Sequence, residues 1–306
     1  MSILMVGQRR SEKHQNRRPW VVHVFAPAGP RIKESKNMKN FTDKIVVITG
    51  GATGIGFAFA KVFGAAGAHV VLAEPRLNRL EEAVAALSEL SVDASYRQCD
   101  VSDADSVHQL ADSVWREFGR ADVLINNAGI TAPNHPVTDL PLEALHMVFS
   151  VNFFGQWHMA SIFGKRMVEQ GTPASIYNVG SELSFFSSVP NATAYMATKH
   201  AILGMTEGLR EEMPDHIDVG LIVPGFVGTE MHRAKVAERG MNADQFAAIA
   251  FPQIQAGERF VVTHAYNIVH IESRFQAISQ AYATYAPRHD GDDEYDVKTL
   301  MLRSRR

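Results

Sequence analysis

A single cysteine, Cys99, stands in 306 residues. An internal disulfide is therefore excluded, and a reducing, cytoplasmic setting is the expectation. No run approaches the roughly 20 consecutive apolar residues of a membrane-spanning helix. No early stretch has the continuous apolar segment of a secretory signal. Neither sign of charge dominates: 30 Lys and Arg stand against 33 Asp and Glu, a net of −3. That balance gives no reason to expect nucleic acid or an anionic membrane as a partner. The 13 histidines show no zinc-ligand spacing, so no metal is expected. Internal repeats and linkers are missing between residues 44 and 270, which points to one domain. Cys99, in Tyr96-Arg97-Gln98-Cys99-Asp100, reads as a strand end rather than a nucleophile.

What is present is unevenly distributed. Residues 1–40 carry nine Lys and Arg against only Glu12 and Glu34, with no sustained period. They read as a disordered basic extension; a targeting arm, a nucleic-acid-binding tail, or a start placed upstream of Met38 are the alternatives. Residues 41–285 read as the folded domain and 286–306 as a solvated tail.

The domain is organised around Ile45-Val46-Val47-Ile48-Thr49-Gly50-Gly51-Ala52-Thr53-Gly54-Ile55-Gly56. A run of β-branched apolar residues has no polar face to offer water, so it predicts a short buried strand. Glycines then allow a tight turn, a close approach of backbone to phosphate, and close helix-on-strand packing. The helix that follows directs its free N–H groups and dipole at an anion. The spacing is Gly-x-x-x-Gly-x-Gly, and by itself it also fits an ordinary strand-to-helix turn.

Beyond it the pattern alternates. Strands are expected at 69–73, 94–98, 121–125, 175–179, 219–223 and 259–263. Helices are expected at 77–90, from Ser102 or Asp103 to 118, at 142–170 with an interruption at Asn152 and Gly155, at 194–212 and from Asn242. Alternating strand and helix specifies an α/β, doubly wound parallel sheet, a Rossmann-type single domain, here with a C-terminal helical extension.

Five motifs in one order now carry a resemblance. Thr49-Gly50 to Gly56, Asn126-Asn127-Ala128-Gly129, the strand before Gly180-Ser181, Tyr195-Met196-Ala197-Thr198-Lys199, and Pro224-Gly225 to Thr229 resemble the classical short-chain dehydrogenase/reductase family over about residues 42–270. The resemblance implies catalytic Ser181, Tyr195, Lys199 and Asn152. It implies a dinucleotide held by Gly50, Thr53, Gly54, Ile55, Gly56, Glu74, Asp100, Val101, Asn127, Ala128, Gly129, Tyr195, Lys199, Pro224, Gly225, Val227 and Thr229. Ser181 stands 14 residues before Tyr195, one more than is usual in the family, which keeps Ser184 as the weaker candidate. Asn152 is expected to help hold a water near the lysine with its side chain. Family members commonly pair through the helices at 142–170 and 194–212, so a homodimer or homotetramer is expected.

Tyr195 and Lys199 lie four apart on a helix and project from one face. Taking a proton from an alcohol near neutral pH needs a phenolate, and free tyrosine has a pKa of about 10. Lowering it by roughly 3 units asks for about 4 kcal/mol, which a nearby lysine cation and a nicotinamide cation are expected to supply. Glu74 follows Gly56 by 18 residues, at the tip of the second strand, where a carboxylate accepts from ribose hydroxyls. It would repel a 2′-phosphate by about 1–4 kcal/mol, so NAD is the expected cofactor. Thr53, where a basic residue would favour NADP, agrees; Arg76 opposes, and is read as a solvated loop arginine.

Phe185, Phe186, Val189, Phe226, Met231 and His232 are expected over the substrate, with a mobile lid at about 231–251. They favour a bulky apolar or aromatic secondary alcohol or ketone, with Arg233 and Lys235 the only nearby cations. Ile268, Ile271, Phe275, Ile278 and Tyr282 predict a helix after the domain's usual end, packed on its own subunit or a neighbour. The runner-up activity is an NADPH-dependent ketone or β-ketoacyl reductase. The alternative of another class is a non-catalytic dinucleotide-sensing protein.

Overall fold

The run Ile45–Thr49 forms β1, and its side chains alternate between the two faces of the sheet it centres. Val46 and Ile48 enter one buried cluster with Phe59, Phe63, Leu80, Phe246 and Ala250. Ile45 and Val47 enter the other with Val107, Leu110, Val114, Met159 and Phe163. A strand buried on both faces has no polar side, which is why its sequence does not alternate. In a computed structural model of the chain, the described residues are 40–187, 189–231, 234–298 and 300. The basic extension, His232, Arg233, Arg303, Arg305 and Arg306 lie outside them.

In order, β1 leads to α1 (Gly54–Ala65), β2 (His69–Glu74), α2 (Leu77–Glu89), β3 (Ala94–Gln98), α3 (Ala104–Phe118) and β4 (Val123–Asn126). Then come α4 (Leu142–Phe149), a π-helical turn (Ser150–Phe154), α5 (Gly155–Gln170), β5 (Ala174–Val179), α6 (Thr193–Glu212) and β6 (Ile217–Val223). A short β7 (Val227–Gly228), α7 (Ala234–Ala237), β8 (Met241–Asn242), α8 (Ala243–Gln255), β9 (Phe260–Val262) and α9 (Ile268–Tyr285) follow. The main sheet has seven parallel strands in the order β3-β2-β1-β4-β5-β6-β9. The order runs one way from β1 to β3 and the other way from β4 to β9. A crevice therefore opens at the carboxyl ends of β1 and β4, where the connections diverge.

Local signals fix most boundaries. Asp103 rather than Ser102 caps α3, its carboxylate accepting from the Asp105 N–H, and Gly119 ends the helix in the left-handed region. Asn242 caps α8 by accepting from the N–H groups of Asp244 and Gln245.

The helix expected at 142–170 is interrupted where Asn152 suggested, at Ser150–Phe154, and the widened turn carries the fully buried Asn152. The expected lid at 231–251 ends earlier. Phe246, Ala247 and Ala250 are fully buried, and the Phe246 ring meets Phe59 edge-on at 5.9 Å. The buried face of α8, from Phe246 to Ile254, belongs to the core because it covers α1. Last, α9 does form, but none of its side chains is buried; Phe275, Ile278 and Tyr282 are exposed.

Candidate active site

At the crevice between β1 and β4 a cleft of about 620 Å³ opens. Its lining includes Gly50, Thr53, Gly54, Ile55, Glu74, Asp100, Val101, Asn127, Ala128 and Gly129, and on the far side Ser181, Tyr195, Lys199, Pro224, Gly225, Val227 and Thr229. Of the expected site residues, Gly56 and Asn152 alone are not among that lining, and both lie directly behind it.

The cradle depends on absent side chains. Gly50 and Gly54 sit at φ +59° and +54°, which side-chain-bearing residues rarely adopt. A Cβ at Gly56 would lie 2.3 Å from the Gly50 carbonyl oxygen, so only glycine lets α1 start this close to β1. Thr53 precedes α1 without a side-chain cap, and no acidic residue stands in the first turn. The helix start is thus left without a side-chain acceptor, as pyrophosphate binding requires. Asn127 braces the turn: its side-chain amide donates to Thr49 O at 2.9 Å, while Thr49 Oγ1 accepts from the Asn127 and Ala128 N–H groups. These features fit a dinucleotide: two left-handed glycines, an uncapped helix start, and an acid at the end of β2.

That acid is Glu74, a buried carboxylate that accepts from Arg76 Nε at 2.5 Å. Arg76 is therefore not the freely solvated loop arginine expected. It precedes α2, lines the cleft, and partly offsets the charge of Glu74. Asp100 lines the same end, its Oδ1 accepting from the Ser102 N–H and hydroxyl. An ion pair between Arg79 and Glu230 ties the first turn of α2 to the segment after Thr229, across the cleft mouth. Cys99 also lines the cleft, and burial pushes its thiol up to about 11, which keeps it protonated.

At the other end, β5 ends at Val179 and the chain turns sharply, with Ser181 capping a short 3₁₀ turn over Glu182–Ser184. Ser181 lines the cleft and hydrogen-bonds Tyr195. Ser184 is fully buried, and its hydroxyl instead accepts from the Ser181 N–H. Lys199, one turn beyond Tyr195 on α6, is buried; its Nζ donates to Val179 O at 2.9 Å and lies 5.5 Å from the Tyr195 ring centre.

Two expectations about this end are corrected. Burial pushes the Tyr195 phenol up to about 12, against a smaller opposing effect of its Ser181 hydrogen bond. Burial also draws Lys199 down to about 8. The protein alone therefore does not lower the phenol; of the two cations expected to do so, that of the nicotinamide enters only with the cofactor. The second correction concerns Asn152. Its Oδ1 accepts from the Ile130 N–H at 2.7 Å, and its Nδ2 donates to Ile130 O at 2.9 Å and Thr198 Oγ1 at 3.3 Å. With both ends of the amide engaged, the side chain braces the loop after β4 against α6 rather than reaching toward Lys199.

The sequence pattern of this architecture matches the family described as short chain dehydrogenase over residues 44–240. The chain belongs to that family. It is 32% identical over 227 residues to a 1-deoxy-11-beta-hydroxypentalenate dehydrogenase of Streptomyces avermitilis, covering 72% of this chain and 84% of that one. Among solved structures it is similar to a short-chain dehydrogenase/reductase of Burkholderia phymatum in complex with NAD. That match has a TM-score of 0.73 and 26% identity, covering 79% of this chain and 96% of the other. It is also similar to a variant of the actinorhodin polyketide ketoreductase with NADPH, with a TM-score of 0.66 and 25% identity over 71% and 94% of the two chains.

As a member of this family the chain is an oxidoreductase of alcohols and ketones, and Ser181, Tyr195 and Lys199 line one cleft. Several cleft residues escaped the sequence reading: Ile130, Thr131 and Val151 line it, whereas of the set expected over the substrate Met231 does and Phe185, Phe186, Val189 and Phe226 do not. Phe185 instead meets Phe260 at 6.1 Å, and Phe186 meets the His270 ring at 4.9 Å, both away from the lining. Side-chain direction after an irregular turn leaves no periodic signal.

Proposed function

We propose that this family member is an NAD-dependent dehydrogenase that interconverts a bulky apolar secondary alcohol and its ketone. The observation that carries the reading is the convergence of Ser181, Tyr195 and Lys199 on the cleft whose other end is closed by Glu74. Bound nicotinamide supplies the hydride acceptor or donor. The Ser181 hydroxyl orients the substrate oxygen, and the Tyr195 phenol gives or takes its proton. Lys199, held by Val179 O, supplies positive charge beside the phenol while it remains protonated. Asn152 fixes the floor by clamping Ile130.

Glu74 supports NAD because a buried carboxylate at the end of β2 repels a second phosphate. Arg76, paired to Glu74 and on the lining, is the observation that favours a second reading, an NADPH-dependent ketone reductase. An apolar substrate is supported by Ile130, Val151 and Met231, and by cations: among the described lining residues these are only Arg76, at the adenosine end, and Lys199. No fixed charge there would hold an acidic or phosphorylated alcohol. The relative named for 1-deoxy-11-beta-hydroxypentalenate agrees with an alcohol as substrate. Exposed Met147, Phe154 and Trp157 along α4 and α5 support a homodimer through these helices.

Nicotinamide absorbance with a panel of aliphatic, alicyclic and aromatic secondary alcohols, each run with NAD and with NADP, tests the reading. Turnover with NAD on the bulkier members is expected. Turnover with NADP alone would replace it by the reductase.

A further inference from the structure

The loop that carries Ser181 is held from beyond residues 44–240, the stretch matched by the family pattern. Ser181 is followed by Glu182, a buried carboxylate that the reaction does not use. The Glu182 N–H donates to Pro224 O at 2.9 Å, and Ser181 Oγ donates to the same carbonyl at 3.4 Å. The Glu182 carboxylate accepts from Asn267 Nδ2, just ahead of α9. Beside it, the Gly225 N–H donates to His264 Nδ1 at 3.2 Å. A Cβ on Gly225 would lie 2.7 Å from Glu182 Oε2 and 2.5 Å from His264 Cγ, so both side chains close on one point against the Pro224–Gly225 turn. The grip continues along α9. Arg274 Nη1 donates to Phe185 O at 2.5 Å and to His200 Nε2 at 2.8 Å, and the His270 ring lies on Phe186.

We infer that Glu182 and Asn267 are positioning residues for Ser181, and that the strap 264–274 sets the geometry of the substrate-oxygen site. The physical case rests on three points. A buried carboxylate carries a desolvation cost, so its presence needs a partner that only the strap supplies. Ser181 reaches no part of the strap itself; its own bonds stay within the turn and on Pro224 O. Mutual capping by Ser181 and Ser184 holds the turn internally, and the bonds from Asn267 to Glu182 and from Arg274 to Phe185 O tie that turn to the strap. The inference rests on the proposed role of Ser181, but its consequence for the loop does not need turnover.

The test uses full-length Glu182→Ala, Glu182→Gln, Asn267→Ala and the Glu182→Ala/Asn267→Ala double variant. Amide hydrogen exchange in Leu183, Ser184 and Phe185 is expected to rise about tenfold in each alanine variant, while Val46–Ile48 stay protected. With the alcohols that the wild type turns over, kcat should fall about tenfold, with NADH affinity within about threefold. The glutamine variant should recover most of both, because its amide oxygen still accepts from Asn267. The double variant should be no worse than either single change, as expected of one linked unit. Unchanged exchange at 183–185, or a rise matched across the β1 core, would overturn the inference. So would wild-type kcat in both alanine variants. Should Glu182→Ala fail to fold, Asn267→Ala, at a part-exposed position, decides by the same readings. A wild type silent on every alcohol would remove the proposed secondary-alcohol substrate and leave the exchange result to judge the strap.

Discussion

Replacing Lys199 by Met should change how the protein's stability responds to pH. Lys199 is 3% exposed and its pKa falls from its ordinary 10.5 to about 8 by burial. Between those values the unfolded chain holds the proton and the folded chain does not. Stability therefore rises with pH through this window, and is lost as pH falls through 8. Integrating the linkage from pH 7.5 to 9.5 gives a gain of about 2 kcal/mol, out of about 3 kcal/mol for the full shift. Methionine has similar length and no charge, so the variant loses this dependence. Val179 O keeps a donor in Gln156 Nε2 at 3.1 Å, so the strand end is not left bare. Cys99 works in the opposite sense: its raised pKa costs stability as the unfolded thiol ionises from about pH 9, so the wild-type curve alone is insufficient. The assay is urea unfolding without cofactor at pH 7.5, 8.5 and 9.5, at one protein concentration. The readout is the wild-type minus variant difference. A difference that stays within about 0.5 kcal/mol across this range would refute the claim that Lys199 is buried with a depressed pKa.

Two further outcomes follow from the site. Glu74→Ala should narrow the preference for NAD over NADP at least tenfold, since it removes a repulsion of about 1–4 kcal/mol and frees Arg76 for a phosphate; an unchanged kcat/KM ratio would show that Glu74 is not the selector. Gly56→Ala should destabilise the chain by about 1–3 kcal/mol and weaken NADH binding, read by melting temperature and fluorescence titration, because its Cβ meets the Gly50 carbonyl.

Much of this was legible in the residues. The β-branched run of β1 and the spaced glycines at Gly50, Gly54 and Gly56 announce the strand, turn and helix, because local chemistry alone dictates them. The four-residue spacing of Tyr195 and Lys199 places both on one face of α6, and the cleft receives both. What failed depends on tertiary packing. Asn152 reads as a helix interruption, and the π-helical turn bears that out, yet its amide goes to Ile130, a distant partner no spacing reveals. Phe185 and Phe186 read as substrate contacts because they are apolar and near Ser181. They turn to Phe260 of β9 and His270 of the strap, away from the cleft. The lid ran too far because Phe246, Ala247 and Ala250 repeat at helical spacing without saying which surface they meet. The direction of the Tyr195 shift was missed for the same reason: counting a neighbouring cation is possible from sequence, while desolvation requires the buried environment.

The central claim is that Tyr195 handles the proton in an alcohol–ketone conversion. Its most direct test compares wild type with Tyr195→Phe on the best alcohol of the panel, following nicotinamide absorbance alongside NADH binding by fluorescence. The account predicts that turnover drops by at least about a thousandfold while the NADH Kd stays within a few fold, since the lost hydroxyl acts only on the proton. Turnover retained in the phenylalanine variant would contradict it.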